Sequence, residues 1–224
     1  MQTRQQQWLS HIEELMYKRR KMSKNFETIG LFPVPIIRIK FKDHYKYNFP
    51  EVEKKDKKPS GWKIPLNTTF PNIPDDDLIV PTTVRDSLMK DVKDGIVDVF
   101  KQLNLPTNIG YSNFWYNIYH DNQGQESHDH LGSVGSLLPF WSGVYYNKNS
   151  TPTTFHRDDG TYKTQLFQGA ENTSLAPCLA PNISPDVEDG DILLFPPYLT
   201  HSFESKNPHK NSMRMTFSFN ITLH

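Results

Sequence analysis

Cysteine is nearly missing from this chain, which carries only Cys178 in 224 residues. A lone thiol excludes an internal disulfide, suits a reducing compartment and rules out a thiolate-rich metal cage. Any metal would have to be held by histidine and carboxylate. Net charge is missing as well: 25 Lys and Arg balance 25 Asp and Glu. There is therefore no global field to draw in nucleic acid or an anionic membrane, and such a partner would need a local patch. No run approaches the ~18 apolar residues of a membrane span, and the opening MQTRQQQW lacks the apolar stretch of a secretion signal. The expectation is a soluble, cytoplasmic protein. Internal repeats and low-complexity tracts are also lacking, which excludes solenoids. What is plentiful is proline, with 17 residues, and single-ring aromatics, with 14 Phe and 10 Tyr. That composition suits short strands separated by turns more than a helix bundle. The length suits one large domain, or one domain with a helical appendage.

Along the chain, Trp8, Ile12, Leu15 and Met16 stand at helical spacing and predict an amphipathic helix over 4–20, ending in the basic run Lys18 to Lys21. Four charges closing a helix are read as a solvated terminus that complements the dipole. Phe32 to Phe41 alternates apolar and basic residues after two prolines, as an edge strand would. A second helix is predicted over 84–103, with Leu88, Val92, Ile96, Val99 and Leu103 on one face, Thr83 as N-cap and Pro106 beyond the end. After Gly110 the segments SNFWYNIYH, FWSGVYYNK, TYKTQLFQG, DILLFP and RMTFSFNITL read as strands punctuated by Gly, Asn and Asp turns. Many short strands with helices only in front predict a mainly β fold, an antiparallel barrel or jelly roll.

The chemistry-bearing residues fall inside that β region. On an extended strand, side chains alternate, so His128 and His130 of Glu126-Ser127-His128-Asp129-His130 would project to one face with Cβ atoms roughly 6–7 Å apart. They could share one metal, or the loop could simply be solvated. Imidazole suits iron, zinc, copper and nickel, and a pair needs further ligands. His201, opening HSFES after the strand ILLF and Pro196-Pro197, is placed like a third ligand from a distant strand. Thirteen residues on, Arg214 begins RMTFSFNI, where Met215, Phe217 and Phe219 face opposite to Arg214, Thr216, Ser218 and Asn220. If the apolar set packs outward, Arg214 points into the barrel and needs a carboxylate. A dicarboxylate ligand would supply one, and so would a protein acid such as Asp191.

The order His-x-His, distant His, then Arg in an alternating strand resembles the iron(II)/2-oxoglutarate oxygenase superfamily. More narrowly, the chain looks like a bacterial and phage branch of it. The carrying segments are Trp115-Tyr116-Asn117-Ile118-Tyr119, His128-Asp129-His130, Ser142 to Tyr146, Asp191 to Pro196, His201-Ser202 and Arg214 to Asn220. The resemblance spans about residues 26–224 and implies a double-stranded β-helix (jelly roll) there, with supporting N-terminal helices and residues 1–25 as a helical extension. It implies Fe(II), 2-oxoglutarate and O₂ as cofactor and co-substrates, ascorbate as a possible reductant, and cytoplasmic residence, in the host if phage-encoded. His128 and His201 match the two histidines of the family triad, and Arg214 matches the residue that grips the distal carboxylate. Thr216 can add a hydroxyl hydrogen bond, as can Tyr145 or Tyr146. Asn117 and Tyr119 stand eleven and nine residues before His128, the spacing at which a nucleic-acid-dealkylating branch contacts its co-substrate. The chain departs from the family at His130, where most members carry a carboxylate. Either His130 completes a three-His centre or Asp129 reaches the metal, with Glu126 and His120 as outside candidates.

The leading expectation is a dioxygenase that hydroxylates a substrate and releases succinate and CO₂. The substrate could be a peptidyl side chain, an amino acid, a nucleobase or a small metabolite, and there is no strong nucleic-acid signal. The alternatives are a three-His cupin-type thiol dioxygenase that needs no 2-oxoglutarate, and a non-catalytic jelly-roll binding module.

Overall fold

A computed structural model describes residues 34–53, 62–70, 79–131, 138–157, 180, 182–204 and 213–224. The expected helix over 4–20, the extension 1–25 and the strand TYKTQLFQG lie outside the described residues. Described are ten strands: β1 (Ile37–Lys40), β2 (Asn67–Thr68), β3 (Ile109–Tyr119), β4 (Gly124–His128), β5 (Trp141–Lys148), β6 (Thr154–His156), β7 (Asn182–Ile183), β8 (Asp191–Phe195), β9 (His201–Glu204) and β10 (Arg214–Leu223). With them go one 3₁₀ turn (His44–Lys46) and one helix, α1 (Thr82–Gln102). The strands form two antiparallel sheets, ordered β1-β8-β5-β10-β3-β2 and β4-β9-β6-β7. This is the jelly roll that the strand pattern predicts, and β1 is the edge strand read from Phe32 to Phe41.

The large sheet is double-faced because its strands alternate. On one face, Ile192, Leu194, Met215, Phe217, Phe219, Ile118 and Tyr145 join Leu88, Val92, Ile96 and Phe100 of α1 in the main core. On the other face, Val144, Tyr146, Leu193 and Phe195 pack with Phe155 of the small sheet. A strand buried on both sides loses polar alternation, and so β8 reads as the continuous run ILLF. Gly143 allows that packing: a Cβ there would lie 2.4 Å from the Phe219 ring.

The helix begins earlier than its caps predict. Pro81 stands at the N-cap position with no side-chain cap, and Thr83 lies within the first turn. Proline's fixed φ starts the helix without a hydroxyl acceptor. At the other end Leu103 is 51% exposed, and Phe100 takes the buried position expected of it. Asn104 turns left-handed at φ 56. The Leu105 N–H then donates to the Phe100 carbonyl at 2.9 Å, which closes the helix in a Schellman motif.

Candidate metal centre

His128 ends β4, His201 opens β9, and the two are direct partners across the small sheet. The β4 ladder is irregular between Gln125 and His128, and the strand stops before His130, so the His-x-His stretch is not the regular strand assumed from sequence. The backbone is held instead by the His130 N–H, which donates to the Pro197 carbonyl at 2.9 Å. Both rings nevertheless reach the same side. The centroids of His128 and His201 are 4.3 Å apart, those of His130 and His201 5.0 Å, and those of His128 and His130 5.5 Å. Each ring offers a nitrogen, and these nitrogens all lie within 4.8 Å of one another, a set able to hold one metal ion.

The second ring nitrogen of each histidine is committed to an oxygen. His128 Nδ1–H donates to the Glu126 carbonyl at 2.7 Å, and His201 Nδ1–H to the Leu199 carbonyl at 2.9 Å. His130 Nδ1–H donates to Asn220 Oδ1 at 2.6 Å, which also accepts the Ser142 hydroxyl at 2.8 Å. A carbonyl can only accept, so each ring carries its proton on Nδ1 and its lone pair on Nε2. This outer layer orients three rings of one tautomer. Burial lowers the pKa of all three, to about 4 for His130, keeping them neutral and ready to coordinate.

Asp129 is exposed, and its Oδ1 accepts the Leu131 N–H at 2.9 Å. Glu126 accepts the backbone N–H groups of Lys63 and Ile64. Neither acid joins the cluster, and His120 is likewise outside it.

Two cavities flank the histidines. The inner one is narrow, about 10 Å³, and is lined by the histidines with Tyr119, Thr216, Ser218, Phe203 and Arg214, among others. Arg214 is 3% exposed. Its guanidinium carbon lies 3.7 Å from the Phe203 ring centroid, 4.9 Å from Tyr119 and 5.5 Å from Tyr146. One terminal nitrogen donates to the Thr151 carbonyl at 3.1 Å, while Nε meets no acceptor. Burial pushes the Arg214 pKa down, and Tyr119 and Tyr146 act against that. Burial raises the Tyr119 hydroxyl to about 12, and it donates to Gln125 Oε1 at 3.1 Å.

Asp191 is not the partner of Arg214. It is fully buried and bound by Arg38 at 2.6 Å and Lys40 at 2.8 Å. Burial pushes its pKa up, but Arg38, Lys40 and the Glu188 N–H outweigh that and leave it lowered. Among the described residues no carboxylate pairs with Arg214. Tyr146 faces the same interior, with its hydroxyl donating to Thr153 Oγ1 at 2.8 Å. Tyr145 faces the α1 side and bonds to His44 at 2.7 Å. Asn117 lies on the inner face opposite Thr216, but its amide is taken up by Thr68 at 2.7 Å and Ser218 at 3.1 Å. It does not line the cavity.

The outer cavity, about 200 Å³, is lined by Trp62, Phe70, Trp115, Gln125, His128, Asp129, His130 and Asn220. Asn220, Ser142, Trp62 and Phe70 carry no role in the sequence reading. Asn220 could have been found, because it shares the inward alternation of Arg214 on β10. Trp62 and Phe70 come from outside the β region and have no local signature.

The sequence model of the family described as Putative 2OG-Fe(II) oxygenase matches residues 113–220. No curated protein matches the chain. Among solved structures, HygX from Streptomyces hygroscopicus with nickel and 2-oxoglutarate bound is 13% identical at a TM-score of 0.49, covering 85% of this chain and 83% of that one. The non-heme alpha ketoglutarate dependent carbocyclase SnoK from nogalamycin biosynthesis is 10% identical at 0.49, covering 85% and 80%. An oxidoreductase of the 2OG-Fe(II) oxygenase family from Burkholderia pseudomallei is 10% identical at 0.42, covering 63% of this chain and 57% of that one.

Proposed function

We infer that the chain, whose residues 113–220 match the family model described as Putative 2OG-Fe(II) oxygenase, hydroxylates a substrate at a three-His iron(II) centre while 2-oxoglutarate is converted to succinate and CO₂. The observation that carries this reading is the pairing of two features on one interior: three neutral histidines with converging nitrogens, and a buried Arg214 with no carboxylate partner among the described residues. Each is costly in a folded protein unless a ligand completes it.

His128, His130 and His201 fit a divalent ion of borderline softness through Nε2, and their carbonyl and amide acceptors fix the ring planes. When bound, iron with 2-oxoglutarate and O₂ supplies an oxidant able to replace an unactivated C–H bond by C–OH. Arg214 would take the distal carboxylate of 2-oxoglutarate, with Thr216 and Tyr119 beside it and Asn117 one layer behind. The inner cavity of about 10 Å³ has room for one water. Phe203, stacked on the guanidinium, must therefore move aside as the co-substrate enters. A third imidazole in place of a carboxylate adds one positive charge to the centre, which favours a dianionic co-substrate. A reducing compartment, such as the cytoplasm, would keep the iron as iron(II).

Protein supplied with iron(II), ascorbate, O₂ and 2-oxoglutarate should release succinate even without its substrate. Release should stop in His201→Ala and when zinc, which has no redox chemistry, replaces iron. A protein that takes up iron yet leaves 2-oxoglutarate unconsumed, with and without candidate substrates, contradicts the reading.

A further inference from the structure

We propose that the outer cavity receives an aliphatic ammonium group, carried by a small amine or by an amine-bearing side chain, as the part of the substrate brought to the metal. This rests on the oxygenase reading, because it takes the cavity beside His128 and His130 to be where the substrate is presented.

The walls are aromatic. Trp62 stands 5.7 Å from His128, Trp115 stands 5.8 Å from His130, and Phe70 lies 4.7 Å from Trp115 with the two rings tilted by 40°, all distances centroid to centroid. Three aromatic rings lining about 200 Å³ favour a cation over an anion wherever their faces are met. The charged side chain among the described lining residues is Asp129, and no lysine or arginine is among them. Oδ1 of Asp129 is used on the Leu131 N–H, and the carboxylate is exposed, so its charge is available at the mouth. Gln125 and Asn220 supply the remaining polarity and carry no charge. A cavity of about 200 Å³ has room for one long side chain or a compact metabolite. The inner cavity reverses this pattern, with a cation of its own in Arg214 and no acid among the described lining residues. The metal centre therefore separates a chamber suited to an anion from a chamber suited to a cation.

The test uses full-length protein loaded with manganese as an inert ion, and reads binding rather than turnover. Association of 2-oxoglutarate is measured first; if it is absent, the oxygenase reading fails. Given that association, choline is compared with its neutral carbon isostere, in which a tert-butyl group replaces the trimethylammonium, and with tert-butylacetate as the anion. Quenching of tryptophan fluorescence and saturation-transfer NMR report occupancy. Choline should bind about tenfold more tightly than the isostere, with the anion weakest. In Asp129→Asn that ratio should fall by about half or more, because asparagine keeps the acceptor for the Leu131 N–H and loses only the charge. Binding of all three probes with equal affinity, or no binding of choline while 2-oxoglutarate still binds, overturns the proposal and leaves the oxygenase reading intact.

Discussion

Arg214 occupies a position that costs the fold stability, and its role is directly testable. A guanidinium at 3% exposure with Nε unpartnered is held by three aromatic rings and one carbonyl, which compensate its desolvation only in part. Arg214→Met removes that cost, so the metal-free protein should melt no lower than the parent and by preference a few degrees higher. The same change should raise the KM for 2-oxoglutarate about ten- to hundredfold, from ~1.5–3 kcal/mol for a hydrogen bond to a charged group, with iron content unchanged. A fall in melting temperature with an unchanged KM would assign Arg214 a structural role instead.

The histidines predict a pH dependence of their own. Burial depresses all three in the folded chain, His130 to about 4, whereas in the unfolded chain they titrate near ~6.5. The unfolded state therefore binds more protons below that value, and stability falls as the pH is lowered. The metal-free protein should hold its melting temperature above about pH 6.5 and lose it progressively toward about pH 4. Asp191, also depressed, enters only below its ordinary carboxylate range. Thermal melts of the parent and of His128→Gln/His201→Gln across that window check this, and the double variant should show the shallower slope.

At the scale of elements, β10 joins the two halves of the account. One face carries Arg214, Thr216, Ser218 and Asn220 inward, while the other packs Met215, Phe217 and Phe219 under α1. Phe217→Ala should cost ~3–5 kcal/mol of stability, seen in denaturant melts, while the fraction still folded binds one metal per chain. Metal loss in protein that remains folded would mean that the outer face also shapes the centre. The alternation of β10 was legible in the sequence because a side-chain period of two is a strict geometric rule. The same rule misdescribed β4: its ladder breaks between Gln125 and His128, and the backbone at His130 is held instead by its own N–H, which donates to the carbonyl of Pro197, distant in sequence. Helix α1 shows a similar limit. Its i, i+4 face was readable, but its start at Pro81 left the hydroxyl cap with no function. Two of the partners that fix the ring tautomers are local, the carbonyls of Glu126 and Leu199 two residues before His128 and His201, whereas Asn220 is brought to His130 by tertiary proximity.

In the molecule as a whole, the two sheets bring His128, His130 and His201 between a narrow chamber closed by Arg214 and a wider aromatic one. Catalysis by the proposed route needs the narrow chamber to admit a dicarboxylate at the metal. The most direct measurement is anaerobic calorimetry of 2-oxoglutarate added to the manganese-loaded protein. The account predicts one molecule bound per chain, association that disappears when the metal is removed, and association much weakened in Arg214→Met. Absence of any 2-oxoglutarate binding at millimolar concentration, in protein shown to hold manganese at the three histidines, would contradict it.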